Sequence, residues 1–382
     1  MSVTAQTNVW ISGTGLFTPS ESITNEELVD SFNEYVRRHN ETHAEAIAEG
    51  STEALTESSP EFILKASGIQ RRHVVEREGI LDPDFMTPRL EARSDEDPSV
   101  LCEMGLAAAE EALEQAGKSA RDVDCVIVAC SNLERPYPAI SVEIQSRLGA
   151  PGFAYDMNVA CSSATFGLQA GVSALQSGAA SGVLVVSPEV CTGHLNFRDR
   201  DSHFIFGDAA TAVFVERSDE PPHPGSYLVL GTRLVTQFSN NIRNNFGFLN
   251  RATPETVGSR DKLFVQEGRK VFKEVVPLVV QLISEHLDEL ELAPEDLKRL
   301  WLHQANSNMN ELIARRLLGD AATPDRVPTI LDTYANTSSA GSVIAFHLHR
   351  DDIAPGERGI LCSFGAGYSA GSVVVQRAAE TD

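Results

Sequence analysis

The chain repeats itself, and this constrains its fold more than any other feature. In the first half, the helical run SVLCEMGLAAAEEALEQAG, closed by Gly117, leads through KSARDVD into the strand-like CVIVAC. In the second, KLFVQEGRKVFKEVVPLVVQLISEHLDELEL leads through LAPEDLKR into LWLHQAN. YDMNVACSSATFG is then echoed by LDTYANTSSAGSV, and FGDAATAVFVER by FGAGYSAGSVVVQR. Three matches in the same order indicate a duplicated unit. Short β-branched or apolar runs alternate with helical stretches, which indicates an α/β layered fold. The Pro-rich connector RSDEPPHPGS marks the seam, so that residues 1–217 form one half and 218–382 the other. Pseudo-twofold packing of such halves would bring Cys161 and Asn336, on corresponding turns, together at the centre.

Residues 30–99 fall outside the repeat. They are polar and acid-rich and read as helices and loops inserted in the first half: a solvated decoration, with a mobile cap or a partner surface as alternatives. The formal net charge of −23 disfavours nucleic acid and anionic membranes as partners, because both demand a basic surface. No apolar run approaches the roughly 18 residues of a membrane span. MSVTAQTNVWISG has neither the basic region nor the apolar core of a signal peptide, so the cytoplasm is the expected compartment. The six cysteines (Cys102, Cys125, Cys130, Cys161, Cys191, Cys362) show no CxxC pair and no metal-ligand spacing. Most are expected to be reduced thiols packed like small hydrophobes.

Cys161 differs in its setting. It stands between the strand-like YDMNVA and the helical SSATFGLQAGVSALQSG. A cysteine at a helix N-terminus feels the positive end of the macrodipole and unpaired N–H groups, which favour thiolate. Local sequence leaves two readings: a small residue at a tight junction, or a nucleophile. HQAN places His303 at the end of the apolar run LWL, a usual position for catalytic groups in α/β folds, and YANTSSAG places Asn336 at a turn. Either alone could be structural. Together with Cys161 they fit a thiol nucleophile and two neutral donors able to polarise a carbonyl.

ACSSATFG, HQAN, NTSSAGS and SFGAGYSAG together resemble the β-ketoacyl-acyl carrier protein synthase III family, and the likeness covers nearly all of the chain outside 30–99. The resemblance implies a thiolase-like, five-layer αβαβα fold of two pseudo-twofold halves. It implies that Cys161 carries an acyl group from an acyl-CoA primer, held by the backbone N–H groups of Cys161 and Ala366 as an oxyanion hole. His303 and Asn336 would stabilise the enolate formed when malonyl-acyl carrier protein loses CO₂, with no metal or redox cofactor. It further implies a homodimer, with Tyr137 of RPYPAIS reaching toward the partner's acyl pocket. Arg200 would lie near the coenzyme A adenine, Phe206 along the acyl pocket and Phe62 against the adenine.

Some positions depart from the family pattern. Alanine stands at 366 where glycine is usual, and Phe62 replaces a common tryptophan. Ala66 beside Lys65 and Asn308 after HQAN stand where arginines are common; Arg315 and Arg316 are the candidates for docking acyl carrier protein, or else a solvated basic face. The altered entrance points to a primer other than acetyl, of medium chain length. Three other readings stay open: a non-decarboxylating or head-to-head condensing enzyme, a Cys-dependent thioester hydrolase or acyltransferase, and a non-catalytic binding homologue.

Overall fold

The computed structural model describes residues 8–94, 96–244, 252–256 and 258–379. The first seven residues, part of the stretch read above for a leader, lie outside them. Thirteen strands are described: β1 (Val9–Phe17), β2 (Glu21–Thr24), β3 (Arg71–Val74), β4 (Cys125–Ala129), β5 (Phe153–Met157), β6 (Gly182–Val190), β7 (Asp208–Arg217), β8 (Tyr227–Thr236), β9 (Ile242–Arg243), β10 (Val265–Gln266), β11 (Leu297–Leu302), β12 (Arg358–Gly365) and β13 (Ser369–Arg377).

Nine of these form one sheet, in the order β5-β4-β6-β7-β1-β8-β13-β12-β11. The order is symmetric about its centre. Outward from β1 the pairings run antiparallel to β7, antiparallel to β6 and parallel to β4. Outward from β8 they run antiparallel to β13, antiparallel to β12 and parallel to β11. The sequence repeat is therefore a structural one, with β5 as an extra edge strand in the first half. At the centre β1 and β8 meet over two residue pairs only, Trp10 with Leu228 and Ile11 with Tyr227. The join depends on packing more than on the ladder.

That packing comes from two helices, Ser163–Ser177 and Ala340–Leu348, that share one apolar core with both half-sheets. The first buries Ala164, Leu168, Val172 and Leu175, a helical stripe, and ends on Gly178 at φ 77°. Helices Val100–Ala116 and Ile140–Leu148 pack on the outer face of the first half-sheet, and Gly268–Glu289 and Ser307–Leu318 on that of the second. The result is the five-layer αβαβα arrangement. Because β4 and β6 are covered on both faces, CVIVA and GVLVV read as unbroken apolar runs with no alternation.

Two expectations need correction. The long helix foreseen from Lys262 begins only at Gly268; Val265–Gln266 pair instead with Ile242–Arg243. Phe264 thereby leaves helical register, and its ring packs 4.8 Å from that of Phe206. Nor are residues 30–99 a solvated decoration throughout: most of 41–57 is exposed, but the segments on either side join a core. Helix Asn25–Thr42, started by a capping box between Thr24 and Glu27, buries Leu28, Val29, Phe32 and Val36. These meet Ile63, Ile69, Phe204, Ile205, Phe206 and Leu331 in a fourth apolar core. Acidic residues on the outer face masked the helical stripe beneath.

Candidate active site

Cys161 lies at the end of a tight turn. Ala160 before it adopts φ 48°, and the helix starts at Ser163 with Ser162 as its cap. The Ser163 hydroxyl accepts from Val159 N at 2.8 Å and donates to Ala160 O at 2.7 Å, so the turn is held by its own serine. The Cys161 side chain rests against Gly365 at the end of β12. A Cβ added there would fall 2.6 Å from Cys161 Cβ and 3.1 Å from Sγ, so only glycine permits this approach. The two halves touch at the sulfur.

His303 follows β11, and its amide donates to Cys362 O at 2.8 Å. The ring stands edge-on to Phe364, with centroids 5.2 Å apart. The rest of HQAN secures that loop. Gln304 Oε1 accepts from Ile330 N at 3.1 Å. Asn306 caps helix Ser307–Leu318 and donates to Ala66 O at 2.7 Å, tying the loop to the inserted region.

Asn336 bridges to Phe206: its amide donates to Ile205 O at 3.0 Å and its carbonyl accepts from Gly207 N at 3.1 Å. Its Oδ1 accepts from Ser338 N at 2.8 Å. With that oxygen engaged, the NH₂ end of the amide is left as donor.

Cys161, His303 and Asn336 line one cavity of about 280 Å³, together with Phe206, Phe264 and Val271. Its low polarity governs the titrations. Burial pushes the Cys161 thiol up to about 11; Glu189 adds to this, while Ser338 and the backbone amides of Cys161 and Ala366 act as donors in the other direction. Desolvation thus opposes the thiolate that the helix end and these donors favour. Burial holds His303 down at about 4, against a smaller contribution from the Ser338 backbone, so the imidazole is neutral near pH 7.

The other expected residues are spread more widely. Phe206 lines the cavity with Phe264 and His194 around its ring. Arg200 and Phe62 meet each other, the guanidinium 4.1 Å above the ring, beside the cavity residues Asp201 and Phe204. Tyr137 is 82 % exposed and is not among the cavity's lining residues. Arg315 and Arg316 are exposed near the end of helix Ser307–Leu318, whose Met309 lines the cavity. Gly365, Phe264, Ser338 and Glu189 were passed over. Glu189 alone carried a signal, as a charge inside the apolar strand GVLVVSPEV.

The two half-sheets and the shared central helix layer define the class of fold as thiolase-like. The 3-oxoacyl-[acyl-carrier-protein] synthase III family matches residues 155–233, and the C-terminal part of the same family matches 287–377. A β-ketodecanoyl-[acyl-carrier-protein] synthase of Pseudomonas aeruginosa is 63% identical over 91% of this chain and 100% of its own length. Among solved structures, a priming β-ketosynthase of a polyketide biosynthetic pathway aligns with a TM-score of 0.77, at 25% identity, over 100% of this chain and 99% of that one. The 3-oxoacyl-[acyl-carrier-protein] synthase III of Aquifex aeolicus aligns at 0.75 and 24% identity, over 96% and 99%. The chain belongs to the 3-oxoacyl-[acyl-carrier-protein] synthase III family and is an acyltransferase of the condensing type.

Proposed function

We propose that the chain joins an acyl-CoA primer to malonyl-acyl carrier protein by decarboxylating Claisen condensation, in fatty acid or related lipid synthesis in the cytoplasm. The observation that carries this is the convergence of Cys161, His303 and Asn336, from both halves, on one apolar cavity. Cys161 sulfur attacks the primer's thioester carbonyl, and coenzyme A leaves with the thiol's proton. The amides of Cys161 and Ala366 hold the oxyanion. The malonyl C–CO₂ bond then breaks, and its electron pair passes into an enolate. Neutral His303 and the Asn336 amide donate to the enolate oxygen, where charge grows in the transition state. The enolate carbon attacks the acyl carbonyl, Cys161 is released, and β-ketoacyl-acyl carrier protein departs. No metal or redox cofactor is needed.

The primer is of medium length. A β-ketodecanoyl product, as in the name of the Pseudomonas relative, has two carbons from malonate, which leaves an eight-carbon primer. Phe206, Phe264, Val271 and Phe272 offer the apolar wall such a chain requires. Arg200 and Phe62 would meet coenzyme A at the entrance, and exposed Arg315 and Arg316 would receive the acidic carrier protein. The enzyme works as a homodimer: β5 is a sheet edge with Phe153 and Tyr155 exposed, beside exposed Val142 and Tyr137.

The test is to incubate the protein with acyl-CoAs of increasing length and weigh the intact chain. Malonyl-acyl carrier protein is then added, and CO₂ and β-ketoacyl product are measured. An adduct on Cys161, strongest near eight carbons, followed by product is expected. No adduct on Cys161 overturns the reading; an adduct that yields only free acid makes the protein a thioester hydrolase.

A further inference from the structure

Glu189 takes no part in the reaction above, yet it is fully buried at the centre of the molecule. Ser131 donates to it from N at 2.9 Å and from Oγ at 2.6 Å. Ser339 donates from N at 3.2 Å and from Oγ. The thiols of Cys130 and Cys191 approach to 3.6 and 3.9 Å. Burial raises its pKa above the ordinary carboxylate value, while the donors from Ser131 and Ser339 pull the other way and favour the carboxylate. It forms no ion pair with the described residues.

Its two serines lead to opposite sides of the cavity. Ser131 O accepts from Asn158 Nδ2 at 2.9 Å, and Asn158 Oδ1 accepts from Ala160 N at 2.9 Å, one residue before Cys161. Ser339 follows Ser338, whose amide donates to Asn336 Oδ1. Ala160 and Ser338 both sit at positive φ, 48° and 51°, which non-glycine residues keep only when their surroundings hold them there. In the first turn Ser163 bonds its own backbone; in the second, Ser339 bonds Glu189. Glu189 thereby ties one turn to the other.

We propose that Glu189 is a positioning residue: a buried carboxylate that clasps the Cys161 turn to the Asn336 turn and so fixes the nucleophile's separation from the enolate-stabilising donors. Acylation uses one side of the clasp, while condensation uses both. The carboxylate's charge also acts on Cys161 and favours its protonated form. The other titratable groups against it are Cys130 and Cys191; Asp156 acts on the first of these and Asp208 on the second.

The kinetic part of the test rests on the condensation reading; a second part does not. Iodoacetamide alkylation of Cys161 is followed against pH by peptide mass, beside the separate rates of acylation and condensation. E189Q removes the charge. Its alkylation midpoint should move to lower pH by about half a unit or more, and condensation should fall about tenfold further than acylation. E189D and S339A keep the charge but loosen the clasp: the midpoint should hold, with condensation again the step more affected. A folded E189Q with unchanged midpoint and rates, or E189D and S339A that slow both steps equally, overturns the proposal. If E189Q does not fold, E189D and S339A decide. Should the wild-type protein form no acyl adduct, the condensation reading fails, and the proposal then stands or falls on the E189Q midpoint.

Discussion

Gly365→Ala probes the contact between the halves most directly. The new methyl would sit 2.6 Å from Cys161 Cβ, 3.1 Å from Sγ and 3.3 Å from its amide nitrogen. Unbonded carbons settle at about 3.5–4.0 Å, so the turn must yield by roughly 1 Å. Strand β12 cannot retreat easily, since Gly365 is paired to Ser369 of β13 and the strand is held by β11 up to Cys362. Overpacking of this kind costs about 1–3 kcal/mol of stability. A shift of ~1 Å at a nucleophile slows reaction by about 10²-fold, or ~2.7 kcal/mol of barrier. Denaturant unfolding should therefore show a modest loss of stability, and acyl transfer to Cys161, timed by intact mass, a hundredfold loss of rate. A Gly365→Ala protein that acylates at the wild-type rate would refute the idea that Gly365 sets the thiol's position.

His303→Ala and Asn336→Ala should each leave acylation within severalfold of wild type and lower condensation by about 10²–10³-fold, measured as CO₂ release from malonyl-acyl carrier protein. Charge reversal at Arg315 and Arg316 should raise KM for the carrier-bound substrate and leave acyl-CoA kinetics unchanged, as initial rates with each substrate varied in turn would show. Phe264→Ala removes the ring packed on Phe206 and should shift the preferred primer to longer chains in a competition among acyl-CoAs. Burial holds His194, His203, His286 and His303 at about 4, below the ordinary 6.5. The unfolded chain thus binds more protons across that window, and stability falls as pH drops from 6.5 toward 4, by up to about 1.4 kcal/mol per pH unit for each histidine. Asp208, raised to about 6 by burial, and Glu189, also raised by burial, oppose this. His286→Gln, at a buried position of the outer helix Gly268–Glu289 bonded to Ser372 of β13, should flatten the slope in urea titrations from pH 4.5 to 7.5.

What could be read in the chain depended on the range of the interaction. The symmetric sheet order was legible because duplication copied local patterns, and the order of copies survives any divergence of single residues. That Cys161, His303 and Asn336 converge was legible because each stands at a strand end or turn with a recognisable neighbourhood. The rise in the thiol's titration was not legible because the helix end is a local property, whereas desolvation comes from residues distant in the chain, Gly365 and Phe206 among them. The inserted region was misread because its acidic residues dominate the composition while Leu28, Phe32 and Val36 recur at helical spacing beneath them. Gly365 could not be singled out, since what makes glycine necessary there is an atom of the other half.

The symmetric sheet has a consequence for how such a site can arise at all. Two separate copies of a half-chain, paired about a true twofold axis, would be bound to present identical residues on either side: a thiol facing a thiol, or an amide facing an amide. The proposed reaction needs unlike partners, an acyl carrier on one side and enolate-stabilising donors on the other. Joining the halves in one chain releases each turn from copying its twin, and the two can then diverge while the layers around them keep the shared geometry. Symmetry persists where it only has to support, in the order and direction of the strands. It is lost at the centre, where Cys161 meets Gly365 and where Glu189, on one strand of the first half, takes Ser339 of the second.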